Sequence, residues 1–140
     1  MRKVFVDTNI LIDLIADRTP FSKFAIEIFA GAESKKIELF ASSHSIATAH
    51  YLLKKYIGEK ELRQILFDLL DYLTVVAIDL DVLKRGLKSK YKDFEDALQI
   101  IAAQSVEKMD CIVTRNVKDF KGAEILVLPP DEFVKKVLTA

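Results

Sequence analysis

Apolar positions along this chain fall into short blocks that alternate between strand-like and helix-like spacing. Residues 3–6 form a β-rich run ending at Asp7, and Ile10, Leu11, Leu14 and Ile15 then recur at helical spacing. Beyond the break at Thr19-Pro20, the positions Phe21, Phe24, Ala25, Ile28 and Phe29 mark a second helix, with Gly31 placed to loosen its end. Residues 37–41 read as a second strand. Ser42 or Ser43 can cap a helix carrying Ile46, Ala49, Leu52, Leu53 and Tyr56, closed by Gly58. Another helix is expected over 59–73. The all-apolar run 75–78 looks like a strand buried on both faces, and Asp79 or Asp81 can cap the short helix after it. A longer helix over 94–109 has Ala97, Leu98, Ile101 and Ala102 on one face. Strands at 111–113 and 125–128 follow, then a terminal helix behind Pro129-Pro130.

Short apolar strands separated by helices need crossover connections. They predict an α/β fold of three layers, α/β/α, with a mostly parallel central sheet of about five strands. In such sheets ligands bind beyond the carboxyl ends of the strands, near the point where strand order reverses. The residues at those ends therefore carry the functional information.

Composition narrows the partners. A chain of 140 residues without repeats or low-complexity linkers has the size of one domain, expected over 1–140. A hydrophobic share of 51% with 30% charged residues describes a soluble globular protein rather than a disordered tail. Acids and bases balance at 21 each, so no global field recruits nucleic acid, and phosphate binding has to come from a local patch. The single Cys111 sits in an apolar run as a small buried hydrophobe and can form no intrachain disulfide. Asp7 and Asn9 break the first apolar run, so neither a signal peptide nor a membrane helix is expected, and a reducing cytoplasm fits.

At the strand ends, acidic residues collect. Asp7 follows the first strand, Asp93 and Asp96 open the long helix, and the turn 114–120, with Thr114, Asn116 and Asp119, follows the strand at 111–113. Asp93 and Asp96 are three apart and project from neighbouring parts of one helix face, whereas Glu95 points about 100° away from Asp96. Converging carboxylates raise one another's pKa unless a cation compensates, which predicts a hard divalent ion, Mg²⁺ or Mn²⁺. Such ions can bridge a phosphodiester and activate a water for in-line attack, so no protein nucleophile is required.

Three segments carry a family resemblance: Val4-Phe5-Val6-Asp7-Thr8-Asn9-Ile10-Leu11-Ile12-Asp13, then Asp93-Phe94-Glu95-Asp96-Ala97-Leu98, then Ile112-Val113-Thr114-Arg115-Asn116 with Asp119-Phe120. In this order and spacing the chain resembles the PIN domain family over nearly its whole length. The resemblance implies a metal-dependent ribonuclease with Asp7 as first metal ligand, Asp96 as the helix-borne ligand, and Asp119 or Asn116 as the last acidic or amide position. Asn9 and Thr114 would be supporting polar groups, and Asp93 a helper. It also implies RNA as substrate, a small antitoxin protein as partner if the chain is the toxin of a toxin–antitoxin pair, and a homodimer.

One departure bears on activity. The family usually carries a glutamate on the helix after the second strand, where this chain has Thr48, a poorer ligand for a hard cation. A PIN-fold module that binds RNA or a protein with little or no cleavage is therefore the alternative. A phosphate-handling α/β enzyme using Asp7 as a phosphoryl acceptor is a third, without a supporting lysine motif.

Each residue also has a simpler role open to it. Asp7 can cap a helix, worth about 1 kcal/mol. Asp93 and Asp96 can complement a helix dipole, and Asn116 to Asp119 can be ordinary turn chemistry. His44 and His50, six apart, make a poor ligand pair. Lys84, Arg85, Lys88, Lys90 and Lys92 run toward Asp93; they are either a solvated face or, with Arg115, a basic rim that contacts RNA phosphates.

Overall fold

The computed structural model describes residues 1–139, so the last residue of the single domain expected over 1–140 lies outside the described residues. The chain runs β1 (Arg2–Val6), α1 (Thr8–Ile15), α2 (Ser22–Glu33), β2 (Ile37–Ser42), α3 (Ser43–Leu53), α4 (Glu59–Leu69), β3 (Thr74–Val76), α5 (Leu80–Leu87) and α6 (Phe94–Gln104). Then come β4 (Cys111–Val113), a 3-10 turn (Val117–Phe120), β5 (Leu126–Leu128) and α7 (Pro130–Phe133), which runs on as a π-helical turn (Val134–Leu138). The strands form one five-stranded sheet in the order β3-β2-β1-β4-β5, every pair parallel. This is the α/β class that the alternation predicts.

Side chains alternate across β1 because the strand period is two. Val4 and Val6 face a core shared with α1, α2 and α7 through Ile10, Leu11, Ile28 and Phe133. Phe5 faces the opposite core, with Phe40, Ile100 of α6, Ile112 and Phe120. Both faces of the sheet are thus covered, as a parallel sheet requires.

Several local expectations change. Gly31 lies inside α2 rather than loosening its end; a Cβ there would stand 3.0 Å from the Leu138 side chain, so the glycine admits the C-terminal turn. Gly58 has an ordinary negative φ and precedes α4 as its N-cap, while α3 already ends at Leu53. The strand expected over 75–78 is the three-residue edge strand β3, with Val75 41% exposed, because its apolar residues cover only one side of a sheet margin. The helix expected over 94–109 ends at Gln104. Cys111 is buried, as expected, and desolvation pushes its thiol up to about 12. Among the described residues no helix is long and apolar enough to cross a membrane.

Candidate functional site

The chain leaves β1 toward β2, whereas β4 is reached by a crossover from β3, so strand order reverses between β1 and β4. The Asp7 amide donates to the Val113 carbonyl at 3.0 Å, which holds the two strand ends level. Asp7 leaves β1 in extended conformation and caps α1, accepting from the Thr8 amide at 2.8 Å. Its capping role is therefore real, yet it accounts for one of four donors. The Oδ1 atom also accepts from Gln99 Nε2 at 3.0 Å, and Oδ2 accepts from Thr114 Oγ1 at 2.8 Å and Asn9 Nδ2 at 3.4 Å. At 7% exposure, Asp7 is a carboxylate whose plane is set from both sides.

Asp96 stands in contrast. Its amide donates to the Asp93 Oδ1 cap of α6 at 3.0 Å, which fixes the first turn, but its own carboxylate receives no hydrogen bond among the described residues. Burial, and then the negative charges of Asp93, Asp7, Asp119 and Glu95, push it up to about 7. Negative charge on Asp96 is thus disfavoured, and no hydrogen bond among the described residues offsets this.

Two clefts meet at this residue. One, of about 290 Å³, is lined by Asp7, Asn9, Thr48, Glu95, Asp96 and Asn116, among others. The other, of about 460 Å³, is lined by Asp93, Asp96 and Asp119 with Lys90, Lys92, Lys118 and Lys121. Asp119 therefore faces the lysine side, Asn116 the Asp7 side, and the Asn116 amide donates to Thr114 Oγ1 at 3.0 Å. Lys90 and Lys92 reach the rim; Lys88 caps the end of α5 and lines neither cleft. Arg115 is held elsewhere: its Nε and Nη2 lie 2.6 and 3.1 Å from the Asp13 carboxylate, and its guanidinium sits over the Phe21 ring at 4.3 Å. His50 pairs with Glu59 on α4 at 2.8 Å, a surface link whose hydrogen bond, with that of Arg63, holds Glu59 below the usual carboxylate range.

Sequence reasoning missed Gln99, Asp13, Lys118 and Lys121. Gln99 stands three residues beyond Asp96 on the same helix, and the two lysines flank Asp119, so spacing puts them near the acidic residues without showing which partners they meet. Nothing local marks Asp13 as the partner of Arg115, which lies 102 residues away.

A family model described as PIN domain matches residues 3–118. The chain belongs to the PIN domain family. It is 28% identical over 140 residues to Ribonuclease VapC1 of Aquifex aeolicus (strain VF5), spanning 96% of this chain and 94% of that protein. A solved toxin–antitoxin complex from Klebsiella pneumoniae matches with a TM-score of 0.65 and 28% identity over 91% of this chain and 97% of the other. FitAcB from Neisseria gonorrhoeae matches with a TM-score of 0.64 over 91% and 97% of the two chains; at 14% identity this likeness bears on the fold alone. Within this PIN domain, α3 contains no acidic residue and presents Thr48 and His44 to the cleft, bonded to each other at 3.2 Å. Glu95, which helical geometry turns away from Asp96, is the carboxylate on that wall, 3.6 Å from His44 Nε2.

The raised Asp96 has a measurable consequence. A native state that binds a proton more tightly than the unfolded chain gains stability from it below the unfolded value of 3.8, and loses that gain as pH rises through about 7. In metal-free protein the thermal midpoint is expected to fall between about pH 4 and 7, and Asp96→Asn to flatten that decline. Equal pH slopes in the two proteins would refute the assignment.

Proposed function

We propose that this PIN domain protein is a divalent-metal-dependent ribonuclease, the toxin of a toxin–antitoxin pair. The observation that carries the reading is Asp96: a half-buried carboxylate raised to about 7 by burial and then by its acidic neighbours, at the junction of a carboxylate cleft and a lysine-lined one. The similarity to Ribonuclease VapC1 supports RNA cleavage as the activity.

The donor set suits a hard cation. Asp7 and Asp96, with Asp119 on the far side, offer carboxylate oxygens, and the uncompensated charge on Asp96 is what a cation would relieve. Among the described residues no three Asp, Glu, His or Cys side chains stand close enough to form a ready-made cage. Mg²⁺ or Mn²⁺ commonly bind one or two carboxylates and complete their shell with water and substrate phosphate oxygens, so Asp7 and Asp96 would be the residues that hold one. The chemistry supplied by such an ion is polarisation of a phosphoryl oxygen and a lowered pKa for an attacking water.

The chain's own groups do the rest. Thr114, Asn9 and the Thr8 amide hold Asp7 in one orientation, and Asp93 holds the first turn of α6 so that Asp96 enters the cleft. Lys90, Lys92, Lys118 and Lys121 would contact phosphates flanking the cut bond, the local patch that a neutral net charge demands. An apolar groove of about 710 Å³, lined by Ile15, Leu53, Tyr56 and Ile57, shares Ile12, Arg18 and Leu52 with the Asp7 cleft. An antitoxin seated there would close the mouth of the site, a reading that the similarity to a toxin–antitoxin complex supports.

The test is cleavage of a structured RNA with Mn²⁺, Mg²⁺ or EDTA. Cutting with either ion, abolished by EDTA and by an added antitoxin, is expected. RNA that is bound but intact at every ion concentration would favour the second reading, a PIN-fold binding module, whose support is Thr48 on a wall of α3 without a carboxylate.

A further inference from the structure

Gln99 is 3% exposed, on the same turn-to-turn face of α6 as Asp96 and amid the apolar residues that pack α6 on the sheet. A buried amide is costly unless its polar atoms are bonded, so the way this one is satisfied is informative. Its Nε2 donates to Asp7 Oδ1 at 3.0 Å and to Ser45 Oγ at 2.8 Å, and its Oε1 accepts from Ser42 Oγ at 2.5 Å.

The amide has one workable orientation. Ser42 Oγ caps α3 by accepting from the Ser45 amide at 3.0 Å, which leaves its proton for Gln99 Oε1. Turning the amide over would set Oε1 against a carboxylate oxygen, two acceptors without a proton between them. Ser45 Oγ, already accepting from Gln99, can pass its own proton to Thr8 Oγ1 at 2.8 Å, and the Thr8 amide returns to Asp7 Oδ1 at 2.8 Å. The bonds close a ring through Asp7, Gln99, Ser45 and Thr8, tying the end of β1 to α1, α3 and α6.

We propose that Gln99 is a positioning residue: its side-chain amide sets the plane of the Asp7 carboxylate from the same helix that carries Asp96. The spacing of the two carboxylates then follows from the seating of α6 rather than from a free rotamer of Asp7. This rests on the nuclease reading of the cleft and adds to it a residue that need not touch RNA. Partners of this kind, which hold the groups that hold a metal, typically matter by about 10- to 100-fold.

The test uses Gln99→Met, close in length but without donors, Gln99→Glu, which sets a second carboxylate against Asp7 Oδ1, and Ser45→Ala, which keeps the amide and removes one of its partners. Steady-state RNA cleavage is measured well below each melting temperature, and binding of Mn²⁺ alone is measured by calorimetry. Gln99→Met is expected to lower kcat by about 10- to 100-fold and weaken Mn²⁺ binding by about 10-fold. Its KM for RNA should stay within about threefold, because the RNA contacts remain. Gln99→Glu should lose more, and Ser45→Ala should fall between wild type and Gln99→Met. A folded Gln99→Met with wild-type kcat and Mn²⁺ affinity would overturn the proposal, as would losses that merely track melting temperature. Wild-type protein that neither cuts RNA nor binds Mn²⁺ would instead sink the nuclease reading, and this role with it.

Discussion

Asp7→Asn is expected to lower RNA cleavage by at least about 100-fold, since losing roughly 3 kcal/mol of charge stabilisation in the transition state corresponds to that factor. The substitution keeps the shape of the side chain and one acceptor oxygen. All four groups around Asp7 donate to it, and Thr114 Oγ1 already accepts from the Asn9 side chain and the Asn116 backbone, so the new amide faces donors and a loss of stability of about 1 to 3 kcal/mol is expected alongside. RNA affinity, which the proposed lysine rim would set, should change little. Asp96→Asn separates the effects more cleanly, because that carboxylate takes part in no side-chain hydrogen bond among the described residues and little of the fold depends on it. Initial cleavage rates with Mn²⁺, alongside RNA binding by fluorescence anisotropy, decide the matter. Both variants cutting within a few-fold of wild type would remove these carboxylates from the mechanism.

The second large effect concerns stability. Arg115→Ala should destabilise the protein by about 3 to 5 kcal/mol, because it strands the buried Asp13 carboxylate. Asp13 is 1% exposed and meets both Nε and Nη2 of Arg115, while Arg18 stands farther off at 3.9 Å and on the surface. For a chain of this size such a loss would lower the melting temperature by roughly 10 to 17 °C. Arg115→Lys should recover little, since an ammonium cannot reproduce the two-point contact or the stacking on Phe21. Removing both charges together, as Asp13→Leu with Arg115→Met, should restore much of the stability, because well-packed apolar residues can replace a buried pair at small net cost. Chemical denaturation of the three variants checks this. An Arg115→Ala protein as stable as wild type would show that Arg18 or solvent suffices for Asp13.

This pairing changes how the basic residues divide between structure and binding. Charge on the sequence makes Arg115 a rim residue beside Lys88, Lys90 and Lys92. In the fold, Arg115 anchors α1 to the turn that carries Asn116 and Asp119, and the rim is made by Lys90 and Lys92 with Lys118 and Lys121. Whether a cation is free for phosphate depends on what carboxylate the fold brings to it, and Asp13 lies in a different helix at the far end of the chain.

The sequence by itself determined the order of elements and the placing of Asp7, Asp93, Asp96, Thr114 and Asp119 at strand ends and a helix start. Those features follow from short-range rules: an apolar repeat of two or of three-to-four, an acid that caps a first turn, a polar residue where a strand stops. Tertiary structure decided the rest. It made β3 an exposed edge, divided the acidic residues between two clefts that share Asp96, turned Glu95 toward His44, and sent Gln99 inward to hold Asp7. None of these follows from local spacing, because a helix residue's burial and a side chain's partner are set by which surface packs against it, and those surfaces come from segments tens of residues apart.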